Sequence, residues 1–143
     1  MVGIMEKSPQ AESARKALEK EFSDRDKKLT AVRDQVLALE EQLKTDGPIM
    51  SDKRRTELEK QIVNKKRDFN RQQDELREDF NLRRNEELGK LQKNVQDVIV
   101  NVARTEEFDL IVTQPVLYAS DRINLTNRVL EELGKENNQE AAN

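Results

Sequence analysis

The chain has 143 residues, of which 38% are charged and only 34% hydrophobic, and its net charge is −3. The hydrophobic share is too low for an ordinary globular core of this length, and the net charge is too small for charge-driven disorder. The chain has no His and no Cys, so the common metal sites and thiol nucleophiles are not expected. It also has no Gly-rich phosphate loop and no apolar stretch of about 20 residues, so the common nucleotide-binding motifs and a membrane-spanning helix are not expected. This composition is typical of long helices that bury a narrow apolar stripe.

The first long helix is predicted from Pro9 to Asp46. Ser8 is a suitable N-cap, and Pro9 is tolerated at the first helical position. Gly47 and Pro48 end the helix, with the glycine expected to supply a positive φ. One polar residue, Arg25, interrupts a heptad-like seam, which consists of Leu18, Phe22, Leu29, Val32, Val36, Leu39 and Leu43.

A second helix is predicted from a Ser51 cap to about Glu106. Its apolar residues recur at intervals of eleven, which favours little or slightly right-handed supercoiling: Leu58, Phe69, Phe80, Leu91 and Val102. The short connection forces the two helices to lie antiparallel as a hairpin.

Pairing the two stripes predicts specific layers between the helices. Phe22 then lies opposite Leu76, Arg25 opposite Gln72 and Gln73, and Val32 opposite Lys65 and Lys66. Polar layers of this kind have two interpretations. They fix the register of the hairpin, or they weaken its packing so that the hairpin bends. The second interpretation assigns the flexibility of the hairpin to Arg25, Lys65 and Gln72.

The C-terminal part follows a different pattern. The predicted elements are a strand at 108–113, a turn at 114–115, a second strand at 116–119, a short helix at 126–133 ended by Gly134, and a disordered tail at 137–143. Two strands and one short helix are not stable alone. Further strands must come from the N-terminus or from other subunits.

Several segments, in this order, resemble the Skp (OmpH) family over residues 2 to about 133. They are Glu6–Gln10, Leu18–Phe22, Leu58–Lys60, Asp79–Leu91, Phe108–Val112 and Tyr118–Thr126. The resemblance implies a periplasmic homotrimer shaped like a jellyfish, mainly α with a small β part. A β-barrel body would hold three helical-hairpin arms around a cavity for unfolded outer-membrane proteins. In the family, an additional strand precedes the segment that matches Val2–Met5.

The resemblance implies three regions. Residues 1–17 and 88–136 would form the β-containing trimerisation body, residues 18–87 the arm with its tip at 46–51, and residues 137–143 a tail. The body has more apolar residues than a small monomer can bury, which predicts an obligate trimer. These trimer-body residues are Val98, Val102, Phe108, Leu110, Val112 and Tyr118.

Candidate binding residues lie off the predicted seam. Leu37, Val63 and Leu82 would line a client cavity or are scattered surface residues. Ile49 and Met50 at the tip either contact clients or pack the tip.

A basic cluster low on the arm is the second candidate site. Resemblance suggests a lipopolysaccharide or anion contact at Arg83, with Arg84 and Lys90 compensating nearby. A solvated helix face is the alternative. The pair Glu86 and Glu87 has nothing to desolvate it, so general acid–base catalysis, and with it an enzyme, is not expected.

The resulting hypothesis is an ATP-independent holdase chaperone without a cofactor, acting on unfolded outer-membrane proteins. A structural coiled-coil spacer is the alternative, and it fits the composition equally well. Nucleic-acid binding is not expected, since the net charge is −3 and the chain has a single Tyr. Residues 25–85 hold 16 Lys and Arg against 13 Asp and Glu, so the arm is mildly basic and suited to acidic clients.

Overall fold

The computed structural model describes residues 2–113, 118 and 120–141, and the regular structure in this part of the chain is helical. The helices are α1 (Val2–Lys7), α2 (Pro9–Asp46), α3 (Asp52–Thr105) and α4 (Thr126–Ala141), with 3-10 turns at Gly47–Ile49 and Asp121–Ile123. Helix α3 has 54 residues and is therefore about 81 Å long. The mainly helical prediction and the bounds of both long helices are confirmed.

Serine side chains cap both long helices as predicted. The Ala11 N–H donates to Ser8 Oγ at 3.2 Å, and the Arg54 N–H donates to Ser51 Oγ at 3.4 Å. Each bond satisfies one of the amide groups that the first helical turn leaves without a partner.

The connection at the tip differs from the expectation in one respect. Gly47 does not adopt a positive φ. The chain instead tightens into a 3-10 turn, in which the Met50 N–H donates to the carbonyls of Asp46 at 3.0 Å and Gly47 at 3.3 Å. Turns of this type commonly close α-helices, and Pro48 within it prevents α2 from continuing.

The chain divides into two compact units. We call residues 1–18 and 84–143 the base unit, and residues 19–83 the arm unit. Both long helices contribute residues to both units. From the sequence, the body and the arm were expected to meet between residues 17 and 18 and between residues 87 and 88.

The base unit has its own apolar core. Val95 and Leu133 are fully buried, and α1 packs against α4 within this unit. Gln10 Nε2 also donates to the Leu133 carbonyl at 2.7 Å, which ties the start of α2 to α4. The buried core consists of Ile4, Leu91, Val95, Val98, Ile99, Val102, Val129 and Leu133.

The predicted strand at 108–113 is absent from the single chain, where this segment is irregular. Helix α3 ends in a Schellman-type turn, with Glu107 at φ 58° and the Phe108 N–H donating to the Ala103 carbonyl at 2.9 Å. Beyond it the chain finds no partner strand among the described residues, and an unpaired strand is not stable. Residues 114–117 and 119, which include most of the second predicted strand, lie outside the described residues.

Two further helical segments were not expected. The N-terminal residues, assigned to a β-containing body, form α1 and bury Ile4. Helix α4 continues through Gly134 to Ala141, so the prediction of a helix end at Gly134 and a disordered tail from residue 137 was wrong for residues 137–141. A single helical glycine costs only about 1 kcal/mol relative to alanine, and the part of α4 beyond it makes its own contact with α3, where Asn94 Nδ2 donates to Glu136 Oε2 at 3.4 Å.

Helices α2 and α3 form an antiparallel hairpin in the arm unit. Its seam buries residues from both helices: Phe22, Leu29, Val36, Leu58 and Ile62. The Phe22 and Phe80 rings meet edge to face, with centroids 5.3 Å apart and planes at 81°. Phe80 is nevertheless 36% exposed, so it lies at the margin of the seam and not within it.

Candidate functional site

Apolar side chains remain exposed on the arm unit, where most of the surface is charged. Leu37, Val63 and Leu82, which the sequence placed off the seam, do lie off it. Ile49 projects from the 3-10 turn at the tip, whereas Met50 beside it is half-buried. The exposed fractions are 55% for Leu37, 86% for Ile49, 54% for Val63 and 60% for Leu82.

Two contacts between the helices place Leu37 and Val63 at a similar level of the hairpin. Lys65 Nζ donates to Gln35 Oε1 at 2.8 Å, and Lys66 forms an ion pair with Glu40. Because Leu37 lies between Gln35 and Glu40 in α2, and Val63 lies just before the two lysines in α3, the two aliphatic side chains flank this polar layer. Ile49 is at the tip and Leu82 is near the other end of the unit, so the candidate residues are dispersed along the arm.

The register of the hairpin differs from the predicted pairing. The Phe22 ring contacts Phe80, which lies four residues beyond the expected partner Leu76. Arg25 Nη1 donates to Asp79 Oδ2 at 2.7 Å, while Arg25 and its expected partner Gln72 line the same depression. Lys65 and Lys66, which were expected opposite Val32, direct their charged groups to Gln35 and Glu40.

The physical reason for this difference is the direction of helical side chains. Because side chains tilt toward the N-terminus of their own helix, those of α2 lean away from the tip and those of α3 lean toward it, so a residue of α2 meets a residue farther along α3 than Cα positions alone indicate. Arg25 also stacks on the Phe22 ring, with its guanidinium carbon 5.8 Å from the ring centroid. At the polar layer, Arg25 therefore links the two helices through an ion pair with Asp79.

A depression lies between the helices next to this ion pair. Its volume is about 160 Å³, and it is half open to solvent. Leu29 and Leu76 provide apolar lining, and Gln72 is half-buried there. The polar seam layer predicted at Arg25 and Gln72 is thus a place where the packing is incomplete. The remaining lining residues, Lys28 and Glu75, were not singled out from the sequence, although the break in the heptad seam marks their position.

The three candidate anion-binding residues differ in their surroundings. In the arm unit, Arg83 Nε lies 3.2 Å from Glu21 Oε1, and a second nitrogen of the guanidinium reaches the other carboxylate oxygen at 3.3 Å. In the base unit, Lys90 Nζ lies 2.7 Å from Glu87 Oε1. Arg84 is exposed and has no ion-pair partner within the described part of the chain. Internal pairing thus occupies Arg83 and Lys90, whereas Arg84 is the one of the three without an ion pair among the described residues.

The proposed trimer-body residues fall into two groups. Val98 and Val102 are buried in the core of the base unit, whereas the residues after α3 are exposed. Leu110 is 76% and Tyr118 86% exposed, and Phe108 and Val112 are also exposed. Exposed large apolar residues that cluster on a surface typically mark an interaction site.

The acidic groups of the described residues are dispersed, most of them over the surface of the helices. No cluster of three carboxylates among them has a geometry that holds a metal ion. The exposed Glu12 carboxylate accepts a hydrogen bond from Lys16, which lowers the pKa of Glu12 below its ordinary value. That carboxylate belongs to an i,i+4 surface pair on α2 with a distance of 2.7 Å. Among the described helices, none is long and apolar enough to cross a membrane.

Comparison with known proteins extends over nearly the whole chain. The family described as Outer membrane protein (OmpH-like) matches residues 1–133. A protein named Chaperone protein Skp from Blochmanniella pennsylvanica (strain BPEN) is 33% identical over 133 residues, covering 92% of this chain and 80% of that protein. Another of the same name from Photorhabdus luminescens is 30% identical over 131 residues, covering 91% of this chain and 79% of that protein. The chain therefore belongs to the Skp/OmpH-like family.

Proposed function

We propose that this protein is an ATP-independent holdase chaperone of the periplasm that binds unfolded outer-membrane proteins and prevents their aggregation. The observation that carries the proposal is the set of exposed aliphatic residues distributed along an otherwise charged hairpin. The names of its relatives, all chaperones, support the same assignment. Catalysis has no role in this function, because holding a chain requires contacts and no bond chemistry.

Dispersed contacts suit a protein that binds many sequences and releases them without fuel. If a client covers about 30 Å² of apolar surface at each exposed residue, each contact contributes about 0.8 kcal/mol. Four such residues on each of three arms give roughly 9 kcal/mol before the entropy of ordering the client is subtracted. No single contact dominates, so exchange of individual contacts is rapid while the client stays bound by avidity.

A homotrimer is the assembly that we propose for this function. The exposed residues after α3 in the base unit would pair with the corresponding segments of two other copies, forming a small β-body between subunits. Residues 108–113 contain the β-branched and aromatic residues that favour strands, and in one chain they have no described partner. The client would then occupy the cavity enclosed by three arms.

Charge is proposed to assist the capture of clients. The excess of basic over acidic residues in residues 25–85 is three, which attracts acidic unfolded chains over distances of about 10 Å at moderate salt. Arg84, exposed and unpaired within the described residues, is the best candidate for contact with lipopolysaccharide or another anionic headgroup.

The proposal is tested by replacing the exposed aliphatic residues with serine. The test variant carries Leu37→Ser, Ile49→Ser, Val63→Ser and Leu82→Ser. A matched control changes four exposed polar residues of the same arm: Gln42→Ser, Gln61→Ser, Asn64→Ser and Asn81→Ser. Both variants are compared with the parent for suppression of light scattering by an unfolded outer-membrane barrel diluted from urea.

We expect the test variant to bind the client at least about tenfold more weakly, since it loses more than 1.4 kcal/mol of contacts, while the control equals the parent. A parent protein that does not suppress aggregation at all would instead favour the structural spacer. Equal protection by the test variant and the control would contradict the assignment of these residues to client binding.

A further inference from the structure

The depression on the arm unit has features of a binding pocket for a side chain. It lies where Arg25 interrupts the seam, and its apolar surfaces come from one leucine on each helix. Leu29 is buried at 9% exposure, and Leu76 is half-buried. The remaining lining consists of Lys28, Gln72 and Glu75.

Its volume limits the size of what it accepts. A volume of about 160 Å³ is far larger than one water requires. Engineered apolar cavities of about 150 Å³ accept a benzene molecule. The depression is therefore large enough for a phenyl ring or a branched aliphatic side chain.

Two of the three charged residues that line the pocket have ion-pair partners, and the third has none in the described part of the chain. Arg25 is engaged by Asp79, and the Glu75 carboxylate accepts a hydrogen bond from Arg71 Nη1 at 2.9 Å. Lys28 is exposed and has no ion-pair partner within the described residues. Of the three charged lining residues, Lys28 is thus the one without an ion pair among the residues described, and it lies beside an apolar surface.

We propose that this depression binds one aromatic or branched aliphatic side chain of an unfolded client whose neighbouring residue is acidic. The apolar side chain contacts Leu29 and Leu76, and the adjacent carboxylate pairs with Lys28. This inference rests on the proposed function and deepens it, because it gives the arm a preference for segments in which an apolar and an acidic residue are adjacent. Such pairing explains how weak contacts select for some sequences over others.

The test uses the full-length protein and short soluble peptides, with amide NMR shifts as the measurement. The first peptide carries one phenylalanine followed by one glutamate within a Gly/Ser sequence. In the second peptide the glutamate is replaced by lysine, and in the third the phenylalanine is replaced by serine. We expect shifts centred on residues 25–29 and 72–76 with the first peptide. The lysine peptide should bind about threefold more weakly because it repels Lys28, and the serine peptide at least about tenfold more weakly.

Two pairs of variants give matched controls. Gln72→Phe fills the pocket from within and should abolish the localised shifts, whereas Gln42→Phe adds the same ring at an exposed position elsewhere on the arm and should preserve them. Lys28→Gln should remove the preference for the glutamate peptide over the lysine peptide. Lys27→Gln, at the neighbouring exposed position outside the pocket lining, should leave that preference intact.

The proposal is overturned if the shifts spread evenly along both helices, or if Gln42→Phe and Gln72→Phe behave alike. Failure of the proposed function is distinguished by a separate measurement. If the parent protein suppresses aggregation of an unfolded barrel but shows no localised peptide shifts, the pocket proposal alone is wrong. If it binds the glutamate peptide at the pocket but suppresses no aggregation, the pocket stands and the holdase function is wrong.

Discussion

Replacing Leu110 by aspartate separates an effect on assembly from an effect on the folding of one chain. Leu110 is 76% exposed in the base unit and belongs to the irregular segment after α3. Within a single chain the substitution should therefore change the free energy of unfolding by no more than about 0.5 kcal/mol. In a trimer whose β-body covers this residue, each copy loses about 1.5–3 kcal/mol of burial. Three copies lose roughly 4.5–9 kcal/mol, which lowers the association constant by at least about a thousandfold.

Sedimentation velocity over a concentration series measures this effect directly. At micromolar concentration we expect the parent to sediment as a trimer and Leu110→Asp as a monomer that unfolds at a lower temperature, because assembly no longer stabilises it. Ile49→Asp, at the 86% exposed tip residue, is the matched control and should remain trimeric. Unchanged sedimentation of Leu110→Asp would refute the placement of this segment between subunits, and a folded, stable monomer of the parent would refute the obligate trimer itself.

Three further changes have definite expected outcomes. The double change Arg25→Leu with Gln72→Leu removes a half-exposed ion pair that contributes about 0.2–1 kcal/mol and adds leucine burial that contributes more. It should raise the melting temperature, slow hydrogen exchange in the arm and narrow the size range of protected clients. An unchanged client range would mean that the polar layer serves register alone. Glu107→Gly should stabilise the base unit by about 1 kcal/mol because Glu107 has a φ of 58°; thermal melting checks this against Asp109→Gly, which should give no gain. Client capture in stopped-flow fluorescence should slow as salt rises from about 50 to about 500 mM, and rates independent of salt would indicate purely apolar capture.

The helices could be predicted because their signals are local. Ser8 and Ser51 cap helices through hydrogen bonds to backbone amides three residues away, and Gly47 with Pro48 interrupts the chain between them. The exposure of Leu37, Val63 and Leu82 also followed from their position off the seam. None of these features depends on contacts with a distant part of the chain.

Other features depend on distant contacts and could not be derived in the same way. The register depends on which residues of two distant segments meet, namely Phe22 with Phe80 and Arg25 with Asp79. The end of α4 lies beyond Gly134, where Glu136 accepts a hydrogen bond from Asn94, a residue 42 positions earlier in the chain. The segment 108–113 has a strand-forming sequence without a described partner, and the sequence of one chain does not state which chain supplies that partner.

The central claim is that the assembled protein holds an unfolded outer-membrane protein without consuming ATP. Light scattering of a urea-unfolded outer-membrane barrel, diluted into buffer with increasing amounts of the protein and no nucleotide, tests it most directly. We expect scattering to be suppressed once about three chains are present per client, as one trimeric cavity per client requires, with no further effect of added ATP. Aggregation that proceeds unchanged at a large excess of folded, trimeric protein would contradict the account.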